Sequence, residues 1–230
     1  MDRFERPKTA QEAVLREIRI RLLDGRIQPG DAIRPDVFGA ELGVSAVPVR
    51  EALRILEGEG QVSYRPHRGY LVTKLDIEDL KEVHRVRELL EEEAVRCAMP
   101  NMTTERIRAM HAALDDIDSA KGDVVGVKAA NRRFHFTLME AAGMPHLLRI
   151  ISWLWDASEP YCSLFFVLPE NQAMVDEEHG RIMQAVEAGD VETTIEELNT
   201  HRRHALAVLE RGLASTADGE GPEAIPPAAS

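Results

Sequence analysis

The 230-residue chain has only two cysteines, Cys97 and Cys162. Two are too few for a disulfide framework, so a reducing compartment is the default expectation. Long apolar runs are also missing: the longest covers residues 164–168, whereas a bilayer span needs about 20. The opening Met1-Asp2-Arg3-Phe4-Glu5-Arg6 lacks the apolar stretch of a signal peptide. These absences argue against membrane and secreted functions and lead us to expect a cytoplasmic protein. Positive charge is scarce as well, with 28 Lys+Arg against 40 Asp+Glu and a net charge of −12. The deficit is uneven. Residues 1–74 hold 13 basic against 11 acidic side chains, net +2, and the remainder holds 15 against 29, net −14. A polyanion responds to the local patch and not to the total, so the N-terminal third stays open to nucleic acid.

The apolar pattern divides the chain at the same place. Thr9-Ala10-Gln11-Glu12 has the form of a capping box, and Val14, Ile18 and Leu22 follow at helical spacing up to Gly25. Pro29-Gly30-Asp31 reads as a turn. A short helix over 36–42 then stops at Gly43, which accepts positive φ without a Cβ penalty. Ser45 is the next N-cap, Pro48 fits a first helical turn, and Val49, Ala52, Leu53 and Leu56 form an apolar stripe ending near Gly58–Gly60. The period then changes to two. Val62 and Tyr64 face Tyr70 and Val72 across Pro66-His67-Arg68-Gly69, which predicts a β-hairpin. Helical patterns fill the rest, over 76–99, 103–121, 123–142, 146–158, 172–188 and 190–211. Residues 212–230 are rich in Ala, Gly, Pro and Ser and read as a disordered tail.

The fold class expected is therefore mainly α: a winged helix-turn-helix over 1–74 followed by an all-α helical bundle over 75–211. Leu42-Gly43-Val44-Ser45 joins the two short helices, and Ala40 is small enough to let them approach. In such motifs the first residues of the later helix meet base edges in the major groove. Here these are Ser45, Ala46, Val47 and Arg50, with Arg50 suited to bidentate contact with a guanine and Ala46 or Val47 to a thymine methyl. For Arg50 the alternative is a helix-surface charge paired with Glu51 or Glu57. His67, Arg68 and Gly69 at the hairpin tip suit phosphate or minor-groove contact, or form an ordinary polar turn.

The segment Gly43-Val44-Ser45-Ala46-Val47-Pro48-Val49-Arg50-Glu51-Ala52-Leu53, with Leu56, Gly60 and the wing Pro66-His67-Arg68-Gly69, resembles the GntR family of bacterial transcription regulators. The resemblance implies a homodimer that places two recognition helices in neighbouring half-sites of a palindromic operator on double-stranded DNA. Two positions depart from the family pattern, Ala46 and Asp36 standing where arginines are usual, so the family's operator sequence does not transfer.

In the helical region, His135, His179 and His201 lie on three different expected helices, and Asn131 precedes His135 by one turn. Three imidazoles and one oxygen ligand would hold a first-row metal if they converge. A single histidine on a helix is otherwise a surface or satisfied core group. This region resembles the FCD effector domain of the FadR-like branch, through Arg87-Glu88-Leu89-Leu90-Glu91, Asn131-Arg132-Arg133-Phe134-His135, Glu178-His179 and His201. The resemblance implies one divalent metal per chain, zinc, nickel or manganese, on Asn131, His135, His179 and His201, where the family usually has Asp at the first position. It also implies a small carboxylate effector nearby. Arg87 suits a carboxylate anchor, with a surface ion pair to Glu91 as the alternative. Trp153, Trp155, Tyr161, Phe165 and Phe166 gather most aromatics in one span, for a pocket, the core or a dimer interface.

The function expected is a DNA-binding transcription regulator, a repressor, whose operator affinity responds to that effector. The alternatives are a metal-dependent hydrolase and a ligand-blind regulator with a structural metal. Against the hydrolase stand the lack of a His-Glu-x-x-His motif and the presence of a winged helix.

Overall fold

The computed structural model describes residues 9–66, 68–167 and 169–217. The chain divides into two compact units, one reaching Leu75 and including Ser152–Pro160, the other starting at Asp76.

The first unit opens with α1 (Ala10–Leu23), whose capping box forms: Thr9 Oγ1 accepts from the Glu12 backbone N–H, and Glu12 Oε2 accepts from that of Thr9, both at 3.2 Å. β1 (Ala32–Ile33), α2 (Pro35–Leu42), α3 (Ala46–Gly58), β2 (Val62–Arg65) and β3 (Gly69–Val72) follow. The sheet runs β1-β3-β2, antiparallel throughout, with Tyr64 opposite Tyr70 and Ile33 opposite Tyr70 on the other side. Ile18, Val49, Leu53, Leu56 and Val62 are almost wholly buried, each contributing about 1.5–3 kcal/mol of hydrophobic stabilisation. Two residues of β1 are too few to show an alternating pattern, which is why the sequence did not reveal this strand. Gly43 ends α2 at φ 67°, as its position suggested. The small residue that closes the turn is Gly39 and not Ala40, which is exposed. A Cβ on Gly39 would lie 2.8 Å from the Val44 carbonyl oxygen and 3.2 Å from that of Ser45.

The second unit is helical: α4 (Ile77–Ala98), a 3-10 turn (Met99–Asn101), α5 (Thr104–Ser119), α6 (Val124–Glu140), α7 (Pro145–Val167, apart from its Ser152–Pro160 stretch), α8 (Pro169–Ala188) and α9 (Val191–Ala217). Asp76 and Asp79 cap α4 reciprocally at 2.9 and 3.0 Å. α4 packs against α6 and α9, α5 against α6, and α8 against α9. Val95, Met110, Phe134, Leu138 and Ile182 fill the core between them.

Two helix ends differ most from the pattern reading, the others by three residues or fewer. α7 was expected to stop at 158, yet it continues through Pro160 to Val167. A proline inside a helix costs roughly 3 kcal/mol. Burial of Leu154 and Trp155 before it and Tyr161 after it offsets that cost. α9 continues from 211 through Gly212 to Ala217, so the expected tail over 212–230 is corrected for its first six residues. One glycine costs only about 1 kcal/mol in a helix, and Leu213, Ala214 and Ala217 are good helix formers. The rest of that expected tail lies outside the described residues. Among the described residues no helix is long and apolar enough to cross a membrane.

Candidate functional site

α6 places Asn131 and His135 one turn apart on its buried face, α8 supplies His179, and α9 supplies His201. The structure brings the three imidazoles together. Their candidate ligand nitrogens all lie within 4.8 Å of one another, and their ring centroids are 4.8–5.4 Å apart. Metal–nitrogen bonds of about 2.0–2.1 Å put two ligand atoms at most about 4.2 Å apart. Side-chain adjustments of under about 1 Å would therefore close the group on one ion.

The donor set fits such an ion. His179 Nε2 and Asn131 Oδ1 are buried with no hydrogen-bond partner among the described residues. Leaving such an atom unmet costs about 1–3 kcal/mol, which a cation would remove. Burial, and then the neighbouring His201, hold His179 well below the ordinary imidazole range; burial followed by His201, His179, Arg87 and Arg202 does the same to His135. Both rings are therefore neutral, the form that binds metals. Phe134 packs against His179 with centroids 4.8 Å apart and walls the group on its apolar side.

Glu178, itself buried, orients the third imidazole. Its Oε2 accepts from His201 Nδ1 at 2.7 Å, which leaves His201 Nε2 as the ligand atom. Its Oε1 accepts from His204 Nδ1. Burial opposes ionisation of this carboxyl, but the hydrogen bonds from His201 and His204 outweigh it and hold it below the usual range. The sequence showed Glu178 only as the neighbour of His179. Its role toward His201 depends on how α8 packs against α9.

Arg87 is buried, and its Nε donates to Glu91 Oε1 at 2.9 Å. The pair with Glu91 is therefore real but is not a surface pair. Arg202 from α9 donates to the other oxygen of Glu91 at 2.5 Å, a partner that sequence reasoning missed. Burial works against the Glu91 charge, but Arg202 and Arg87 outweigh it and lower its pKa to about 2. Two guanidiniums on one carboxylate leave one unit of positive charge beside the histidines. Of the remaining histidines, His111 meets Glu187 at 2.6 Å and His146 meets Arg149 at 2.9 Å, both on the surface. Trp155 and Tyr161 are buried and Trp153 is half exposed, while the side chains of Phe165 and Phe166 lie outside the described residues.

At the N-terminal surface, Ser45 caps α3 through its backbone alone, so its hydroxyl is not used for capping. Val47 and Arg50 are exposed and Ala46 is half-buried. Arg50 forms no ion pair with Glu51 or Glu57; Glu57 Oε1 instead accepts from the Tyr64 backbone N–H at 3.0 Å. Arg68 is exposed, and Gly69 takes φ 84°, where a Cβ would approach the Ile33 carbonyl oxygen to 3.1 Å. His67 lies outside the described residues. The strand register sets Arg65 opposite Gly69 and Ile33 opposite Tyr70, so exposed Arg34 and Arg65 share one end of the sheet with Arg68. Neither of these two was singled out by sequence; Arg34 escaped because β1 was not foreseen.

The depressed imidazoles predict how the metal-free protein responds to acid. His84, also buried, is lowered to about 3, by burial first and then by Arg87 and Arg202. The unfolded chain takes up protons near pH 6.5 at His84, His135 and His179, whereas the folded chain resists them to lower pH. Stability from these groups is full above 6.5 and is lost as pH falls toward the folded values, by up to about 1.4 kcal/mol per pH unit for each group. Thermal melts in chelator should show Tm dropping steadily from pH 7 to pH 5. A flat profile would contradict neutral burial of these rings.

Comparison with known proteins is consistent with both halves. A family model described as "Bacterial regulatory proteins, gntR family" matches residues 10–72, and an FCD domain model matches residues 82–204. The probable D-xylose utilization operon transcriptional repressor of Paenarthrobacter nicotinovorans is 32% identical over 185 residues, covering 78% of this chain and 80% of that protein. The HTH-type transcriptional regulator McbR of Escherichia coli K12 is 30% identical over 141 residues, covering 60% of this chain and 64% of McbR. A solved structure of E. coli McbR/YncC superposes with a TM-score of 0.79 at 25% identity, covering 88% of this chain and 98% of that one.

Proposed function

The chain belongs to the GntR family of bacterial regulatory proteins and carries an FCD domain, and from that premise we propose a metal-dependent, effector-controlled repressor. That it is a DNA-binding transcription regulator follows from the family, whose members are not enzymes, and this removes the hydrolase alternative. Proteins of this family bind DNA and small-molecule effectors and are typically dimeric.

One divalent ion per chain, zinc, nickel or manganese, would be held by His135, His179, His201 and Asn131. The observation that supports this most directly is the convergence of three buried imidazoles, with Asn131 one turn from His135 and its oxygen without a hydrogen-bond partner among the described residues. When bound, the ion would supply a dication able to attract and polarise a small anion. All four protein ligands are neutral, so none of them cancels any of that charge. The Arg87–Glu91–Arg202 group adds one further positive charge, and a small carboxylate suits this field. Arg87 is the anchor we assign to that carboxylate.

In the first unit, Arg50 and Val47 read bases from α3, Ser45 and Ala46 approach at its N-terminus, and His67, Arg68 and Gly69 position the wing. One chain carries one recognition helix, so a palindromic operator takes a homodimer, and sedimentation on a two-half-site duplex reads that stoichiometry. The compartment we assign is the cytoplasm. Effector binding changes operator affinity only through dimer arrangements that differ in their effector affinity.

The test is fluorescence anisotropy with DNA taken from beside the protein's own gene. It compares metal-loaded and chelator-treated protein, with and without acetate, succinate or citrate. We expect at least one carboxylate to weaken DNA binding, and only with metal present. One metal per chain with no carboxylate effect would leave the ligand-blind regulator; no metal would remove the centre altogether.

A further inference from the structure

We propose that Arg34 and Arg65 each grip a phosphate of the DNA backbone, and that Asp36 is the counter-ion which DNA displaces from Arg34. These contacts lie outside the residues assigned above to the bases and the wing tip, and they depend on neither the metal nor the effector.

Strand register builds the site. Ile33, Tyr70 and Tyr64 stand side by side across β1, β3 and β2. Successive side chains of a strand alternate faces, so the next row, Arg34, Gly69 and Arg65, belongs to the opposite face. Arg34 keeps an extended backbone, at φ −96° and ψ 117°, although it is already the N-cap of α2. A Cβ on Gly69 would lie 3.8 Å from both Cα and Cγ of Arg34, and Arg65 is the Cα partner of Gly69 across the hairpin. Two arginine stems, their Cα atoms about 10 Å apart, therefore flank a residue that has no side chain. Arg68 stands at the turn beside them, its backbone N–H donating to the Arg65 carbonyl at 3.1 Å.

The charge around this row is of one sign. Residues 61–74 hold three Lys+Arg and no Asp or Glu. Arg65 and Arg68 are exposed and have no ion pair among the described residues. Arg34 has one acidic partner, Asp36, at 3.3 Å, with the two side chains 64% and 63% exposed. An exposed pair of this kind is weak and is screened by salt, so a phosphate can take the place of the carboxylate. Guanidinium groups match phosphate oxygens through paired N–H donors. The duplex supplies the phosphates, because α2 is the first helix of the motif and that helix crosses the DNA backbone. Arg34 stands where the start of α2 meets the wing. Asp36 also suits the helix dipole as an acid in the first turn of α2, and asparagine at that position keeps a side-chain oxygen for the turn.

The experiment uses the full-length protein and anisotropy titrations on two labelled duplexes, one from beside its own gene and one of scrambled sequence. Each phosphate contact contributes about 0.9 to the salt slope, so losing one should shrink the ratio of wild-type to variant affinity about 3-fold between about 50 and about 200 mM salt. Arg34→Ala and Arg65→Ala should each show this change, equally on both duplexes. Arg34→Lys, which keeps the charge and loses the fork, should restore the slope. Asp36→Asn should strengthen binding to both duplexes by about 3-fold at the lowest salt, and by less than about 2-fold once Arg34 is alanine. Thermal melts matched to the wild type confirm that each variant is folded. Unchanged slopes in Arg34→Ala or Arg65→Ala would overturn the paired contact, and Arg68→Ala measured beside them locates the failure. A drop for Arg68→Ala alone confines phosphate contact to the wing tip, and no drop in any of the three takes the wing off the DNA. A loss restricted to the duplex from beside the gene would also overturn the proposal, since it marks base reading. Unaltered or weaker binding by Asp36→Asn would overturn the counter-ion role.

Discussion

Replacing His179 with alanine is expected to strip the protein of its metal, lowering affinity by more than about 100-fold. Removing a group that merely hydrogen-bonds a metal ligand typically costs 10–100-fold, and His179 supplies a ligand atom directly. Its Nε2 is buried, neutral and without another hydrogen-bond partner among the described residues, so no competing interaction is given up when it binds. Glu178→Gln should fall in the smaller range, because it only weakens the hold on His201 Nδ1. Asn131→Asp should act in the opposite sense, tightening the metal by adding an anionic ligand at the oxygen position. Elemental analysis of protein purified without chelator, followed by competition with a chromogenic chelator, ranks the four proteins. The expected order is Asn131→Asp tightest, then wild type, Glu178→Gln and His179→Ala. Equal metal content in wild type and His179→Ala would sink the metal centre while leaving the DNA-binding assignment untouched.

Arg50→Ala is expected to weaken operator binding by about 1–3 kcal/mol and to relax base preference at one position of each half-site. Arg50 stands exposed on α3 with no ion pair to Glu51 or Glu57, so the guanidinium is not committed to either carboxylate. The contrasting variant is Arg68→Ala on the wing. Removing a cation that sits on a phosphate should weaken all sequences alike and lower the salt slope by about one. Anisotropy titrations on operator and scrambled duplexes at three salt concentrations separate the two behaviours. If Arg50→Ala weakens both duplexes equally, Arg50 touches the DNA backbone and the bases are read elsewhere on α3.

Much of the first unit could be read from residues close together in the chain. The Thr9–Glu12 box, the positive φ of Gly43, the stripe Val49–Leu53–Leu56 and the alternation around the wing each reflect local backbone chemistry. Such features recur wherever the same few residues do. The two-residue β1 escaped because a strand that short has no period of its own; only pairing with β3 defines it. The close approach at the turn was assigned to Ala40, yet which of two adjacent small residues faces the Val44–Ser45 turn depends on helix phase, and Gly39 faces it.

In the second unit the sequence determined that Asn131 and His135 share a helical face, and that Arg87 can reach Glu91, because both follow from a four-residue helical step. It also marked His179 and His201 as candidates, without showing that they meet. Tertiary packing decided the rest. Convergence of α6, α8 and α9 brings the imidazoles together, Arg202 crosses from α9 to Glu91, and Glu178 spans from α8 to His201 and His204. The continuation of α7 through Pro160 belongs to the same class, since burial on either side outweighs a local penalty. Helical periodicity specifies which way a side chain points from its own axis. Only the packing of one axis against another fixes what it meets there, and a buried charge or imidazole takes its chemistry from that neighbour.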